Sequence, residues 1–228
     1  MSKFDVISVG SAVVDVFVFS DAKEHRHSGH LEMCYPAGGK LLIKRIEFMT
    51  GGGGSNTSVA FSRLGLKAGF SGKIGAGNNS EIVMSDLNKN KVKFLGIRDK
   101  KNHTGYSVIL DSEGHDRTVL TFKGANDDLK YNEINLENLQ TKWFYFSSML
   151  GQSFATMEKL AEYAEKKGIK IAYNPSSYQA EKGPKYLNKI LRNTEILVLN
   201  KEEAEMLSGV SGDKVFENTL RMYSSIYR

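Results

Sequence analysis

The chain has 228 residues, 40% hydrophobic and 25% charged, a balance that fits one folded globular domain and excludes a disordered or fibrous chain. No apolar stretch reaches the roughly 18 residues a membrane span needs, and the +5 formal charge is scattered, with no basic run interleaved with aromatics, so neither a membrane nor a nucleic acid is an expected partner. The single cysteine, Cys34, excludes an internal disulfide framework and indicates a reducing, cytoplasmic setting.

The first apolar run, "MSKFDVISVGSAVVDVFVF", is interrupted by Asp5 and Asp15 and has no small-residue cleavage site, so it is a poor signal peptide. Its "FDVISVG" (4–10), rich in β-branched residues and closing on glycine, predicts a buried strand. After four glycines, Ser55 to Leu64 predicts a helix with Val59, Ala60 and Leu64 on one face. "KAGFSGKIG" (67–75) reads as a second strand, Ser80 as the cap of a helix carrying Ile82, Val83 and Leu87, and "VKFLGI" (92–97) as a third strand. "YSVIL" and "RTVLTF" flank the turn-rich "DSEGHD" (111–116), the pattern of a β-hairpin. The strand–helix rhythm then returns. "WFYFSS" (143–148) is a strand, and Phe154, Met157, Leu160, Ala161 and Ala164 form one face of a helix that stops at Gly168. "IKIAYN" (169–174) is another strand, Pro175 and Pro184 bracket a loop, "EILVLN" (195–200) is a strand, and Lys201 begins a helix, with Asp213 capping a last one. Strands alternating with helices predict a parallel sheet covered on both faces. The hairpin and the stretch from Ser20 to Met49 break that rhythm and read as strands projecting from the same domain.

The glycine run "GGGGSN" opens a helix, where the lack of a Cβ lets backbone approach a ligand closely. Asn56 adds an amide that both donates and accepts, which suits a polyhydroxyl ligand. No Gly-Lys-Ser/Thr follows, so this is not a phosphate loop. The first strand–helix turn lacks the glycine pattern of a dinucleotide site, which disfavours an oxidoreductase. On spacing alone, a ligand loop and a flexible turn both remain open.

Gly52, Gly53, Gly54, Asn56, Ser58, Gly65 and Gly75 together resemble the first signature of the ribokinase-like (pfkB) family of carbohydrate kinases, with every gap correct. "VGSAVVD" is similar to that family's first-strand turn ending in a sugar-binding aspartate, here Asp15. "HTGYSVIL" and "GHDRTVLTFKGAN" resemble its lid hairpin, and "LNKEEAEMLSG" its Asn-x-x-Glu motif, Asn200 and Glu203. The resemblance implies a Rossmann-like three-layer α/β/α fold with a small β lid, a single domain over 1–228 with lid segments about 16–49 and 98–123, and a missing C-terminal part. It implies ATP and Mg²⁺ as cofactors, transfer of phosphate to a hydroxyl of a sugar, sugar acid or nucleoside, and pairing of lids between two copies.

The implied roles each stand beside a plainer reading. Asp15, with the backbone of Gly52 and Gly53 and with Asn56, would grip sugar hydroxyls; otherwise Asp15 is a surface turn residue. Asn200 would lie near nucleotide phosphates and Glu203 near Mg²⁺, through water; equally, the pair is a helix capping box, and both can hold. Arg117 would reach over the site from the lid, or is an ordinary exposed strand arginine. The five histidines fall in the lid segments; "HRHSGH" near Cys34 lacks the spacing of a structural zinc site and reads as a solvated loop. Val13, Ser147 and Ser148 stand where ribokinase has polar sugar contacts, which places ribose in doubt. The family's catalytic base lies in a Gly-Ala-Gly-Asp motif that this sequence lacks: "GAGN" (75–78) ends in an amide and comes too early, and "SGD" (211–213) lacks the glycine spacing. The expectation is a truncated kinase, inactive alone, with a bare apolar sheet edge after "EILVLN" that favours association. A non-catalytic sugar-binding module is the alternative.

Overall fold

A computed structural model describes residues 3–20, 22–111 and 117–226. His115, most of the "DSEGHD" turn and the side chain of Asp213 lie outside the described residues.

Six strands form a parallel central sheet: β1 (Phe4–Val9), β6 (Ala68–Ser71), β8 (Lys93–Phe94), β12 (Thr141–Ser147), β13 (Lys170–Asn174) and β14 (Ile196–Leu197). Their spatial order is β14-β13-β12-β1-β6-β8, so chain order reverses direction between β1 and β12. Apolar runs such as "FDVISV" are required here because both faces of these strands are covered. On one face α3 (Gly151–Lys167) and α5 (Gly183–Leu191) bury Met157, Leu160, Leu187 and Ile190 against Phe144, Phe146 and Ile171. Truncating one of these, Leu160→Ala for instance, removes about 2 to 5 kcal/mol. Helix α3 ends at Gly168 in the left-handed region (φ 65°), where the Ile169 amide donates to the Ala164 carbonyl and closes the last turn.

The opposite face is covered at its centre by α1 (Gly53–Arg63), whose Phe61 meets Tyr145 edge-on. A second helix, α2 (Asn78–Lys89), packs Val83 and Leu87 with Phe70, Ile74 and Val14.

A second sheet of four strands has the order β11-β10-β2-β5, built from β2 (Val13–Phe19), β5 (Arg45–Gly51), β10 (Gly105–Asp111) and β11 (Arg117–Phe122). The expected hairpin is present, since β10 and β11 pair antiparallel from Tyr106↔Phe122 to Asp111↔Arg117. β10 also pairs parallel with β2, a long-range contact that the sequence pattern did not signal. The exposed β3 (Glu24–His27) and β4 (His30–Met33) form a separate hairpin carrying His25, His27 and His30.

Several expectations are corrected. Helix α1 starts at Gly53, not near Ser55, and buries Gly54, Ser55 and Ser58, because it lies too close to β1 for larger side chains. Leu64 sits at its C-cap and is exposed. The 67–75 strand is broken at Gly72: β6 stays in the central sheet, while β7 (Lys73–Ala76) pairs with β9 (Ile97–His103). Ser80 lies inside α2, whose N-cap is Gly77. The stretch between Pro175 and Pro184 is helical, as α4 (Ser176–Ala180) and the start of α5. Pro184 sits in the first turn of α5, where its missing N–H costs nothing. Only two residues of "EILVLN" pair as a strand.

A buried cation ties β7 to the segment after the second sheet. Lys73 Nζ, 3% exposed, donates to the Asp128 carbonyl at 2.9 Å and to Glu133 Oε1 at 2.9 Å, with Asp99 Oδ2 at 3.5 Å. Burial alone would lower the Lys73 ammonium, but the hydrogen bond and charge of Glu133, then Asp128, outweigh it and hold its pKa above the usual value.

Candidate acceptor site

In open α/β sheets, ligands bind beyond the carboxyl ends of the strands where the strand order reverses. At that place, between β1 and β12, lies a cavity of about 490 Å³. Its walls include Asp15, Gly52, Gly53, Arg117, Ser147 and Asp127. One side is the central sheet and the other the inner face of the second sheet, where Asp15 (β2), Ser107 (β10) and Thr121 (β11) stand in register.

The geometry accounts for all four glycines. A Cβ on Gly51 would fall on the Asp15 carboxylate, with the carboxyl carbon only 2.7 Å away. Gly52 has φ 97°, and a Cβ there would stand 2.8 Å from the Ala12 Cα. A Cβ on Gly53 would meet the Ser147 side chain, and one on Gly54 would stand 2.6 Å from the Phe70 ring and 2.7 Å from Gly10 backbone. The run is therefore a close-packed turn. The Gly54 and Ser55 amides both donate to the Ser11 carbonyl, at 3.0 and 3.1 Å, and fix the start of α1 against the end of β1.

The predicted site residues do not all converge. Asp15, Gly52, Gly53 and Arg117 line the one cavity. Asp15 is a residue of β2, not of a turn, and no described residue donates a hydrogen bond to its carboxylate. Asn56 is exposed on α1 and lines a different, larger groove of about 1130 Å³ between α1, α2 and β5, with Arg63, Glu81 and Asp86. That groove lies away from the strand ends, so the smaller cavity has the better-placed chemistry.

Asn200 and Glu203 form the capping box of α6 (Lys201–Ser208). The Glu203 amide donates to Asn200 Oδ1 at 2.7 Å and the Asn200 amide to Glu203 Oε2 at 3.0 Å. Glu203 is buried, and Asn174, which also lines the cavity, donates to its Oε2 at 3.4 Å and to the Val198 carbonyl at 2.8 Å. One carboxylate with an oxygen committed to a cap fits a water-mediated Mg²⁺ contact and not an inner-shell cage. Among the described residues no cluster of three or more His, Cys, Asp or Glu could hold a metal directly.

Sequence reasoning missed Asp127, Lys123, Asn174 and Ser176, all on the cavity wall. Ser176 has φ 54°, unusual for a non-glycine residue, and its buried hydroxyl has no partner among the described residues. Asn126, the last residue of the quoted "GAN", accepts from the Ala12 amide at 2.9 Å and donates to the Ala12 and Lys123 carbonyls at 3.0 and 2.9 Å. That clamp joins the two sides of the cavity, and its sequence signal was present but unread.

Residues 3–225 match the profile described as "pfkB family carbohydrate kinase". The chain belongs to the pfkB family of carbohydrate kinases. It is similar to an uncharacterized sugar kinase of Archaeoglobus fulgidus, 27% identical over 154 residues that cover 65% of this chain and 60% of the relative. It is 25% identical to a ribokinase of Haemophilus influenzae over 177 residues, 76% of this chain and 56% of that one. The structure superposes on the Arabidopsis thaliana ribokinase complexed with ribose and ATP with a TM-score of 0.79 at 17% identity, covering all of this chain and 69% of that one, which shows the shared fold. The chain thus spans 60% or less of the length of these curated relatives.

Proposed function

We propose that this chain is the acceptor-binding part of an ATP-dependent kinase that phosphorylates a hydroxyl of a sugar, sugar acid or nucleoside. The observation that carries this is the Asp15 carboxylate, to which no described residue donates a hydrogen bond, seated over the polyglycine turn in the cavity at the strand-order reversal. Such a carboxylate accepts two hydroxyl protons and orients a polyol, which is the positioning that phosphoryl transfer needs. Arg117 lies across the cavity on the lid formed by the second sheet. Asn200 and Glu203 would serve the nucleotide side, Glu203 through a water of the Mg²⁺ shell; the ion, when bound, neutralises phosphate charge. The 228 residues contain no Gly-Ala-Gly-Asp, and the proposal is that they bind an acceptor without turning it over. Two copies would pair through the lid, whose outer face exposes Phe48, Leu120 and Phe122, and light scattering reads that state directly.

Calorimetry of the chain with D-ribose, D-fructose and adenosine, alongside an ADP-release assay, tests the proposal. Binding of one of these that Asp15→Asn abolishes is expected, without ADP release. Binding insensitive to Asp15→Asn would overturn the acceptor site. ADP release would overturn the inactivity of the isolated chain, whereas binding without release is also what a non-catalytic sugar-binding module would give.

A further inference from the structure

Asp127 has no role in the account so far, yet it is the second carboxylate of the same cavity. It ends a 3₁₀ turn, Gly124–Asp127, that is held from several directions. Its neighbour Asn126 is clamped to Ala12 through both side-chain atoms, and the Asn126 carbonyl accepts from the Ser153 hydroxyl at 2.6 Å. On the other side the backbone of Gly151 (φ 55°) lies so near that a Cβ there would stand 3.2 Å from the Asp127 carbonyl oxygen. The backbone that carries this side chain is therefore fixed before any ligand arrives.

The carboxylate itself is uncommitted. Among the described residues nothing donates a hydrogen bond to it and no cation lies within ion-pair distance. Lys123 is the cation whose charge acts on it, but that ammonium sits over the Tyr178 ring, 5.0 Å from its centre. Burial raises the Asp127 pKa and Lys123 offsets this only in part, which is the condition of a half-buried carboxylate that lacks a donor. A polar group kept desolvated and unpaired is costly to a fold, and a ligand that supplies the donors recovers the cost.

We infer that Asp127 is a specificity-determining residue of the acceptor cavity, receiving hydroxyl or amine donors from the part of a neutral acceptor remote from Asp15 and repelling the carboxylate of sugar acids. The inference rests on the acceptor reading of the cavity and narrows it from sugars, sugar acids and nucleosides to neutral, donor-rich polyols. Attraction and exclusion arise from the same group and are local to it, since Arg117 and Lys123 on the same walls balance Asp15 and Asp127 overall: a carboxylate accepts two donors from a diol, whereas an anionic group placed at Asp127 would meet a like charge in a partly desolvated spot.

The test is calorimetry of the chain at neutral pH with D-ribose, D-fructose, adenosine and D-gluconate, on wild type, Asp127→Asn, Asp127→Glu and Asp15→Asn. Among the described residues nothing hydrogen-bonds the Asp127 carboxylate, and burial makes its charge costly, so neither variant should melt below wild type. Wild type is expected to prefer a neutral probe to gluconate. Asp127→Asn should weaken that probe about tenfold or more, as loss of a hydrogen bond to a charged group implies, and should narrow the gap to gluconate. Asp127→Glu should weaken the neutral probe while still rejecting gluconate, which separates charge from placement even if the Asn variant folds poorly. Unchanged neutral affinity in both Asp127 variants, with binding lost in Asp15→Asn, would overturn this role and leave the acceptor site standing. No binding of any probe to wild type, or no effect of Asp15→Asn, would overturn both.

Discussion

Two polar strand-to-helix turns, one after β5 and one after β14, are built on opposite principles. At the turn from Asn200 to Glu203 every polar group named is satisfied by another: amide to carboxamide, amide to carboxylate, and Asn174 reaching across to Glu203. At the turn from Gly51 to Gly54 there is no side-chain cap, the backbone is pressed against its neighbours, and the carboxylates of the cavity it lines, Asp15 and Asp127, receive no hydrogen bond from a described residue. The first arrangement completes itself and stabilises a helix. The second carries unmet hydrogen-bonding capacity in a concave place, which is what a ligand site looks like before it is filled.

The sharpest way to break this comparison lies within the glycine run. Gly54→Ala would drive a methyl group against the Phe70 ring and Gly10 backbone, neither of which can yield. It should destabilise by about 3 kcal/mol, lowering the melting temperature by roughly 6 to 12 °C. Gly51→Ala meets instead the end of the Asp15 side chain, which can swing away. Its melting temperature should stay near wild type while binding of the neutral probes is lost. Equal losses of stability in both variants would show that the run is purely structural.

Next in size is the cation beneath the cavity. Lys73→Met would leave Asp99 and Glu133 without the Lys73 counter-charge and Asp128 with Lys130, at 3.9 Å. Breaking a buried pair costs about 3 to 5 kcal/mol; since Asp128 and Glu133 are 43% and 30% exposed, the lower end or slightly below is expected, read by chemical denaturation. The pH dependence has a definite sign. The amide of Lys101, then Asn102, hold Asp99 down to about 2, so its contribution is present above the ordinary value of 3.8 and is lost as pH falls toward 2. Lys73, raised above 10.5, contributes fully below that value and loses its part as pH rises through its folded pKa. Because Lys73 is the smallest of the causes acting on Asp99, the acid loss is common to wild type and variant; the advantage of wild type should instead shrink as pH rises through the folded Lys73 pKa, and a difference independent of pH there would assign the effect to packing.

What the sequence revealed follows from the range of each interaction. β1, β12 and α3 were legible because burial imposes a local pattern: unbroken apolar runs, or apolar residues three and four apart ending at glycine. The helical stretch after Pro175 was misread because two prolines outweighed the spacing of Leu187, Ile190 and Leu191, which mark a buried face. The glycine run was recognisable, but its reasons were not, since Asp15, Ser147, Phe70 and Gly10 reach it from four separate places in the chain. Asp127 is harder still. Nothing in "GAND" distinguishes a paired carboxylate from an unpaired one, and only the three-dimensional surroundings show that no donor arrives.

The smallest expected effect concerns the self-satisfied turn. Asn200→Ala removes the acceptor of the Glu203 amide but keeps the backbone amide at residue 200 that donates to Glu203 Oε2. Loss of such a cap costs about 1 kcal/mol, a shift of roughly 2 to 4 °C in a chain of this size. Acceptor binding should not change, because Asn200 does not line that cavity. Asn174 does line it and also donates to Glu203, so it connects the two turns. If Asn200→Ala weakened a neutral probe, the turns would be coupled through Asn174 and the contrast between them would fail. If it lowers only the melting temperature, Asn200 is a structural cap toward the acceptor side, and any nucleotide role it has is carried separately.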